Sequence, residues 1–205
     1  MLDALILLAG FSRRMGQLKQ HTILGDYTFL EIISAKLNAC RSQFRHLLFV
    51  GQKEDSAAER LVASIGGVWL TNPTPELGPL SSIRIALQHC SDDTAKLLWP
   101  IDHPMIASTT VNQLIEMWQS QSDFITVPSD GARRGHPTIF PGWCCREFFR
   151  INLEEGAKKL LQLYPERIKY LLTDDIWITK NLNTPQMLIE AENWLKINQA
   201  RSPAE

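Results

Sequence analysis

The residues with the most distinctive chemistry lie between Leu7 and Lys19. There Gly10, Phe11, Ser12, Arg13, Arg14, Met15 and Gly16 follow a short apolar run and lead to a lysine. Gly10 and Gly16 have no side chain to keep an anion away from backbone N–H groups. A guanidinium such as that of Arg14 can form paired hydrogen bonds to phosphate oxygens, and Lys19 supplies a point charge. The segment therefore suits a polyphosphate. It contains neither Gly-Lys-Ser/Thr nor Gly-x-Gly-x-x-Gly, so it is neither a P-loop nor a dinucleotide fingerprint.

A second group is Trp99-Pro100-Ile101-Asp102-His103-Pro104, with Asp102 between two prolines that stiffen the turn. Magnesium takes one or two carboxylates beside phosphate oxygens, so Asp102 can anchor it; alternatively, this Asp caps the following turn. Asn72-Pro73 and Gly78-Pro79-Leu80-Ser81-Ser82-Ile83-Arg84 place a glycine and small polar residues at a helix start. Free N–H groups there can meet an anion or a base. Ser81 and Ser82 serve equally well as a helix cap, and Arg84 as a solvated side chain. Arg133-Arg134-Gly135-His136-Pro137 sets basic residues beside a histidine that can donate a hydrogen bond to an acidic second substrate, or be satisfied at a strand start. In Asn181-Leu182-Asn183-Thr184-Pro185 the amide oxygens can ligate a hard cation but bring no charge.

These groups need elements to carry them. Ala4 to Leu8, His46 to Val50, Gly67 to Leu70 and Lys96 to Pro100 read as strands bounded by turn or charged residues. Phe29, Ile32, Ile33 and Leu37 sit at helical spacing, as do Leu80, Ile83 and Leu87, and Val111, Leu114, Ile115 and Trp118. Such alternation predicts an α/β fold, a mostly parallel sheet covered by helices on both faces, with strand-end loops gathered on one edge. Beyond Pro128, the segment Pro137 to Phe140 is a further strand candidate, Ala157 to Tyr164 a helix, and Ile168 to Leu172 a strand. A last helix begins at Thr184-Pro185, the expected order of N-cap and first-turn proline. The 205 residues are read as one domain over 1–197 followed by a polar tail over 198–205.

A formal charge of -1 gives no electrostatic reason for a nucleic-acid partner. No apolar run reaches the length of a membrane span, and Asp3 precedes the first strand where a signal peptide would be basic. Cys40, Cys90, Cys144 and Cys145 form no Cys-x-x-Cys pair and read as reduced thiols, with a redox role for Cys144 and Cys145 as the alternative. A cytoplasmic protein without a membrane partner is expected.

The first segment resembles the Leu-Ala-Ala-Gly-x-Ser-x-Arg-Met-Gly-x-x-Lys signature of nucleotidyltransferases acting on the molybdenum cofactor and on sugar or isoprenoid phosphates. Gly10, Ser12, Arg14, Met15, Gly16 and Lys19 fall on its fixed positions. Gly135-His136-Pro137 and Glu154-Glu155-Gly156-Ala157 through Leu161 resemble the corresponding stretches of molybdenum cofactor cytidylyltransferases. The resemblance implies a three-layer α/β/α Rossmann-like nucleotidyltransferase fold with a mostly parallel mixed sheet. It implies transfer of CMP from CTP to the phosphate of molybdopterin with release of pyrophosphate. Arg14, Lys19 and Asp102 would be catalytic. Leu8, Ala9, Gly10, Ser12, Met15, Gly16, Asn72, Gly78 and Ser82 would bind the nucleotide, and His136 the acceptor. Asp102 and Asn183 would hold Mg²⁺, and a molybdenum hydroxylase or its maturation factor would be a partner.

The chain also departs from that pattern. Asn181 and Asn183 stand where cytidylyl members carry aspartates, as is usual in the guanylyl branch, while Ala9 differs from that branch's Gly-Gly. Leu8 replaces an alanine, and Gln20-His21 an apolar pair. Two alternatives stay open: a GTP-using or sugar-phosphate enzyme of the same fold, and a non-catalytic molybdenum cofactor carrier for a hydroxylase, which the two asparagines favour.

Overall fold

The computed structural model describes residues 1–9 and 18–199. Its first strand, β1 (Leu2–Leu7), lies inside the sheet and is an almost wholly apolar run, as a strand covered on both faces must be. It pairs in parallel with β4 (Phe44–Gly51) on one side and with β6 (Ala95–Pro100) on the other. Short pieces β2 (Ile23–Leu24) and β3 (Tyr27–Thr28) form a separate antiparallel hairpin. With β5 (Val68–Thr71), β7 (Ile125–Ser129), β8 (Thr138–Phe140) and β9 (Ile168–Leu172), the main sheet has the order β5-β4-β1-β6-β8-β7-β9. Only β8 runs against its neighbours.

Seven helices accompany the strands among the described residues: α1 (Phe29–Ala39), α2 (Ser56–Ser64), α3 (Pro79–Leu87), α4 (Ser108–Ser120), α5 (Cys144–Arg150), α6 (Lys158–Leu163) and α7 (Pro185–Gln199). The pleat of β1 sorts its side chains between two cores. Leu2, Ala4 and Ile6 join Phe29, Ile33 and Leu37 of α1, Val111, Leu114 and Ile115 of α4 and Ala191 of α7. Leu5 points the other way, to Leu80, Ile83 and Leu87 of α3, Phe148 of α5 and Leu160 of α6. Helices on both faces of a mostly parallel mixed sheet make the three-layer α/β/α, Rossmann-like arrangement. The N-terminus of α1 closes with a capping box between Thr28 and Glu31. Met187 N–H donates to Thr184 Oγ1, as the Thr-Pro start of α7 predicted.

Three elements escape the periodic pattern. Helix α2 buries only Ala58 and Val62, too few apolar positions to announce a helix. Helix α5 packs through the adjacent Cys144 and Cys145 with Phe148, and the β2–β3 pieces are two residues each. Helix α7 continues to Gln199, past the expected start of the polar tail at 198; residues 200–205 lie outside the described ones. Arg84 is not a solvated side chain: its guanidinium donates to Phe148 O at 2.9 Å and Ile151 O at 2.5 Å, stapling α3 to the end of α5. All four cysteines are free thiols. Burial pushes Cys144 and Cys145 above the usual thiol range, which makes them poor nucleophiles. No helix is long and apolar enough to cross a membrane.

Candidate active site

Parallel strands β1, β5 and β6 end on one edge of the sheet, and the segments that follow them build a cavity of about 380 Å³. Leu7 and Ala9 leave β1, and Pro100, Ile101 and Asp102 leave β6. Pro75, Glu76, Gly78, Pro79 and Ser82 form the facing wall, and Lys19 closes one side. Gly78 is the N-cap of α3 and holds φ 87°, ψ 177°, a region open almost only to glycine. The backbone therefore turns sharply into α3, whose positive end meets the cavity.

Lys19 sits in a short 3-10 turn, Lys19–His21, so its side chain leans toward the ends of β6 and α7. Its ammonium donates to Asp102 Oδ2 at 2.9 Å and to Asn183 Oδ1. Residue 183 arrives there because Leu182 N–H donates to Asp102 O at 2.8 Å, which ties the approach to α7 onto the β6 loop. Burial pushes the Asp102 carboxyl up, but His103, Lys19 and His136 together outweigh it and hold the group below its ordinary range. Asp102 is thus an anion across the neutral range. Among the described residues no cluster of three His, Cys, Asp or Glu side chains is arranged to hold a metal.

His136 lies on the other flank of Asp102. Its ring is 4.7 Å from that of His103, and its N–H donates to Ile178 O at 2.8 Å. The peptide joining it to Pro137 is cis. Burial, helped by His103, pushes His136 down to about 3, so it is a neutral imidazole at pH 7. Its Nδ1 is buried with no hydrogen-bond partner among the described residues.

The model of the MobA-like NTP transferase domain matches residues 4–169. The chain belongs to that family. It is 33% identical over 119 residues to a probable molybdenum cofactor guanylyltransferase of Methanothermobacter thermautotrophicus, a match spanning 58% of each chain. It is 22% identical over 191 residues to a molybdenum cofactor guanylyltransferase of Shewanella piezotolerans, covering 90% of this chain and 89% of that one. Among solved structures, molybdopterin-guanine dinucleotide biosynthesis protein A of Archaeoglobus fulgidus shares the fold with a TM-score of 0.71 at 20% identity, over 96% of this chain and 100% of that one. The family match gives this chain its family, and the solved structure shares its fold.

Within this MobA-like domain the predicted residues fall into three groups. Ala9, Lys19, Gly78, Ser82 and Asp102 surround the cavity, and Asn183 meets Lys19 beside it. Leu8 and Asn72 do not line it. The Leu8 side chain is in the core, and its N–H donates to Val50 O at 2.9 Å. Asn72 is fully buried; its amide donates to Ser81 Oγ at 2.8 Å and Ser82 Oγ at 2.9 Å, and its oxygen accepts from Thr74 N–H at 2.9 Å. It braces the wall from behind. Ser81 and Ser82 lie inside α3 and do not cap it. Arg14, Gly10, Ser12, Met15 and Gly16 lie outside the described residues. The sequence reading missed His103, Glu76 and Pro75. His103 follows Asp102 directly, and only the fold shows that its ring meets His136.

Proposed function

We propose that the chain transfers a cytidylyl group from CTP to the terminal phosphate of molybdopterin, releasing pyrophosphate. The observation that carries the transfer chemistry is the convergence of Lys19, Asp102 and Asn183 at the end of a cavity of nucleoside size. Two points support CTP: the Ala9 methyl belongs to the cavity wall, and the Gly-His-Pro and Glu-Glu-Gly-Ala stretches resemble cytidylyl members. One methyl can disfavour the larger purine without excluding it. GTP is the second reading, favoured by the guanylyltransferase names of the relatives and by Asn181 and Asn183.

In the reaction an acceptor phosphate oxygen attacks the α-phosphorus in line. One P–O bond forms, the bond to the β-phosphate oxygen breaks, and pyrophosphate takes the electron pair. No covalent nucleophile on the protein is needed, so catalysis rests on alignment and on neutralising charge in the transition state. Lys19 would leave Asp102 and Asn183 for the triphosphate, beside Arg14. His136 would offer a neutral hydrogen bond on the acceptor side. The Asp102 carboxylate and the Asn183 amide oxygen already converge on one cation, the Lys19 ammonium, and such a hard-oxygen pair fits Mg²⁺. Asp102 and Asn183 would hold that ion, which would supply charge neutralisation on the phosphates.

The test is pyrophosphate release by purified protein with Mg²⁺, molybdenum-bound molybdopterin and each of CTP, GTP and ATP. Release with CTP alone is expected. Release with GTP would replace the proposal by the guanylyl reading; binding of the cofactor without release from any nucleotide would point to a carrier. The Ala9→Gly variant is expected to move the ratio of kcat/KM values toward GTP by about tenfold, the low end of what one carbon in an apolar pocket contributes.

A further inference from the structure

Lys36 is an enclosed lysine that the transfer reaction does not use. It projects from α1, and its ammonium donates to Pro104 O at 2.6 Å and Ile106 O at 2.5 Å. Both carbonyls belong to the loop that leaves Asp102 for α4. That loop lies outside helix and strand, so its carbonyls need partners that secondary structure does not provide. From the segment between β9 and the Ile176–Ile178 turn, Asp175 accepts from Ala107 N–H and Thr110 Oγ1, each at 2.8 Å. The two charged side chains thereby grip one continuous stretch, 104–110.

Asp175 reaches further. It also accepts from Trp177 N–H at 2.9 Å, at the start of the turn that ends in Ile178. Ile178 O in turn accepts from His136 N–H at 2.8 Å. The fit there leaves no slack, since a Cβ on Gly135 would stand 2.6 Å from Ile178 Cβ and 2.7 Å from Ile178 O. A chain of direct contacts thus runs from α1 through the Asp102 loop to the loop before β8 that carries His136. Burial pushes Lys36 down to about 8, and the Asp175 carboxylate opposes that shift, so the ammonium is charged at pH 7. A methionine would fill the same space without desolvating a charge. What the ammonium adds is direction, because two carbonyls must face one donor.

We infer that Lys36 and Asp175 are positioning residues for the transfer reaction, holding the Asp102 loop and the His136 loop in a single geometry that keeps the nucleotide and acceptor sides aligned. This rests on the function proposed above. Neither residue lines the cavity, whose wall at Leu7, Ala9, Gly78 and Ser82 lies outside the gripped stretch, so nucleotide binding without metal is expected to survive their loss.

The experiment compares Lys36→Met, Lys36→Arg and Asp175→Asn with the wild type, using two reporters that need no activity. One is the indole N–H resonance of Trp99, whose Nε1 donates to His103 O at 3.0 Å. The other is the backbone amide resonance of His136. In Lys36→Met and Asp175→Asn both resonances are expected to shift. Turnover should fall by about 100-fold, the cost of misplacing reacting groups by about an ångström. The calorimetric Kd for CTP without Mg²⁺ should stay at the wild-type value, and Lys36→Arg should recover part of the turnover. Unchanged resonances in both variants would overturn the inference. So would a loss of activity that only tracks the loss of folded protein. If Lys36→Met does not fold, Asp175→Asn, which keeps an acceptor oxygen in place, decides the matter by the same readouts. A wild type that turns over no nucleotide would overturn the transfer reading, and the two resonances would then decide the clamp alone.

Discussion

At Lys19 one ammonium faces the Asp102 carboxylate and the Asn183 amide oxygen, all at the end of a cavity that α3 closes from the other side. Its partners hold the lysine at the mouth of the site until a polyphosphate competes for it. Removing an aligned donor from such a site costs about 10²–10³ in turnover. Lys19→Ala is therefore expected to lose about that factor in pyrophosphate release with an unchanged far-UV circular dichroism spectrum; near-normal turnover would remove Lys19 from the mechanism. The residues at 19, 102 and 183 drew attention because they fall in stretches that resemble the family's, although Asp102 read alone could also have capped a turn. The role of Asn72 was not readable. The resemblance made Asn72 a nucleotide contact, but its amide is spent on Ser81, Ser82 and Thr74.

At the scale of elements, the junction between the Pro75–Leu77 turn and α3 shows how a single backbone conformation sets a wall of the site. Gly78 stands at φ 87°, ψ 177°, and the space around it is open, since an added Cβ would meet only Leu153 O at 3.8 Å. The penalty for a side chain there is conformational, about 1–3 kcal/mol. Gly78→Ala should lower the urea unfolding free energy by that amount and raise KM for the nucleotide, because the wall it belongs to must shift. Strands β1, β4 and β6 were legible as apolar runs, and α1, α3 and α4 from helical spacing. Helices α2 and α5 were not, because each shows only a few buried side chains to its neighbours. The antiparallel sense of β8 was invisible for another reason. Strand direction depends on which neighbours a strand meets, and Thr138–Phe140 is too short to carry that information.

For the molecule as a whole, the enclosed Lys36 leaves a signature in the pH dependence of stability. Its folded value of about 8 lies below the ordinary lysine value of 10.5, so between those limits the unfolded chain binds more protons than the folded one. Stability from this residue therefore rises as the pH climbs from about 8 toward 10.5, and below about 8 its desolvation cost is fully present. Urea midpoints measured at pH 7.5 and pH 9.5 should show a rise in the wild type, after subtraction of the change seen in Lys36→Met, which lacks the group. Equal pH dependence in the two proteins would mean that Lys36 is solvated.

The sequence by itself determined the alternation of strands and helices and the carboxylate that follows β6. Each of these is written in local spacing, in glycine and proline, or in a charge placed at a strand end. Only the tertiary structure decided that β8 enters the sheet reversed between β6 and β7, that Asn183 is carried to Lys19 by the Leu182–Asp102 hydrogen bond, and that Lys36 and Asp175 both grip one loop. Those contacts join residues far apart in the chain. They exist only once the sheet has brought the elements together, and no local periodicity encodes them.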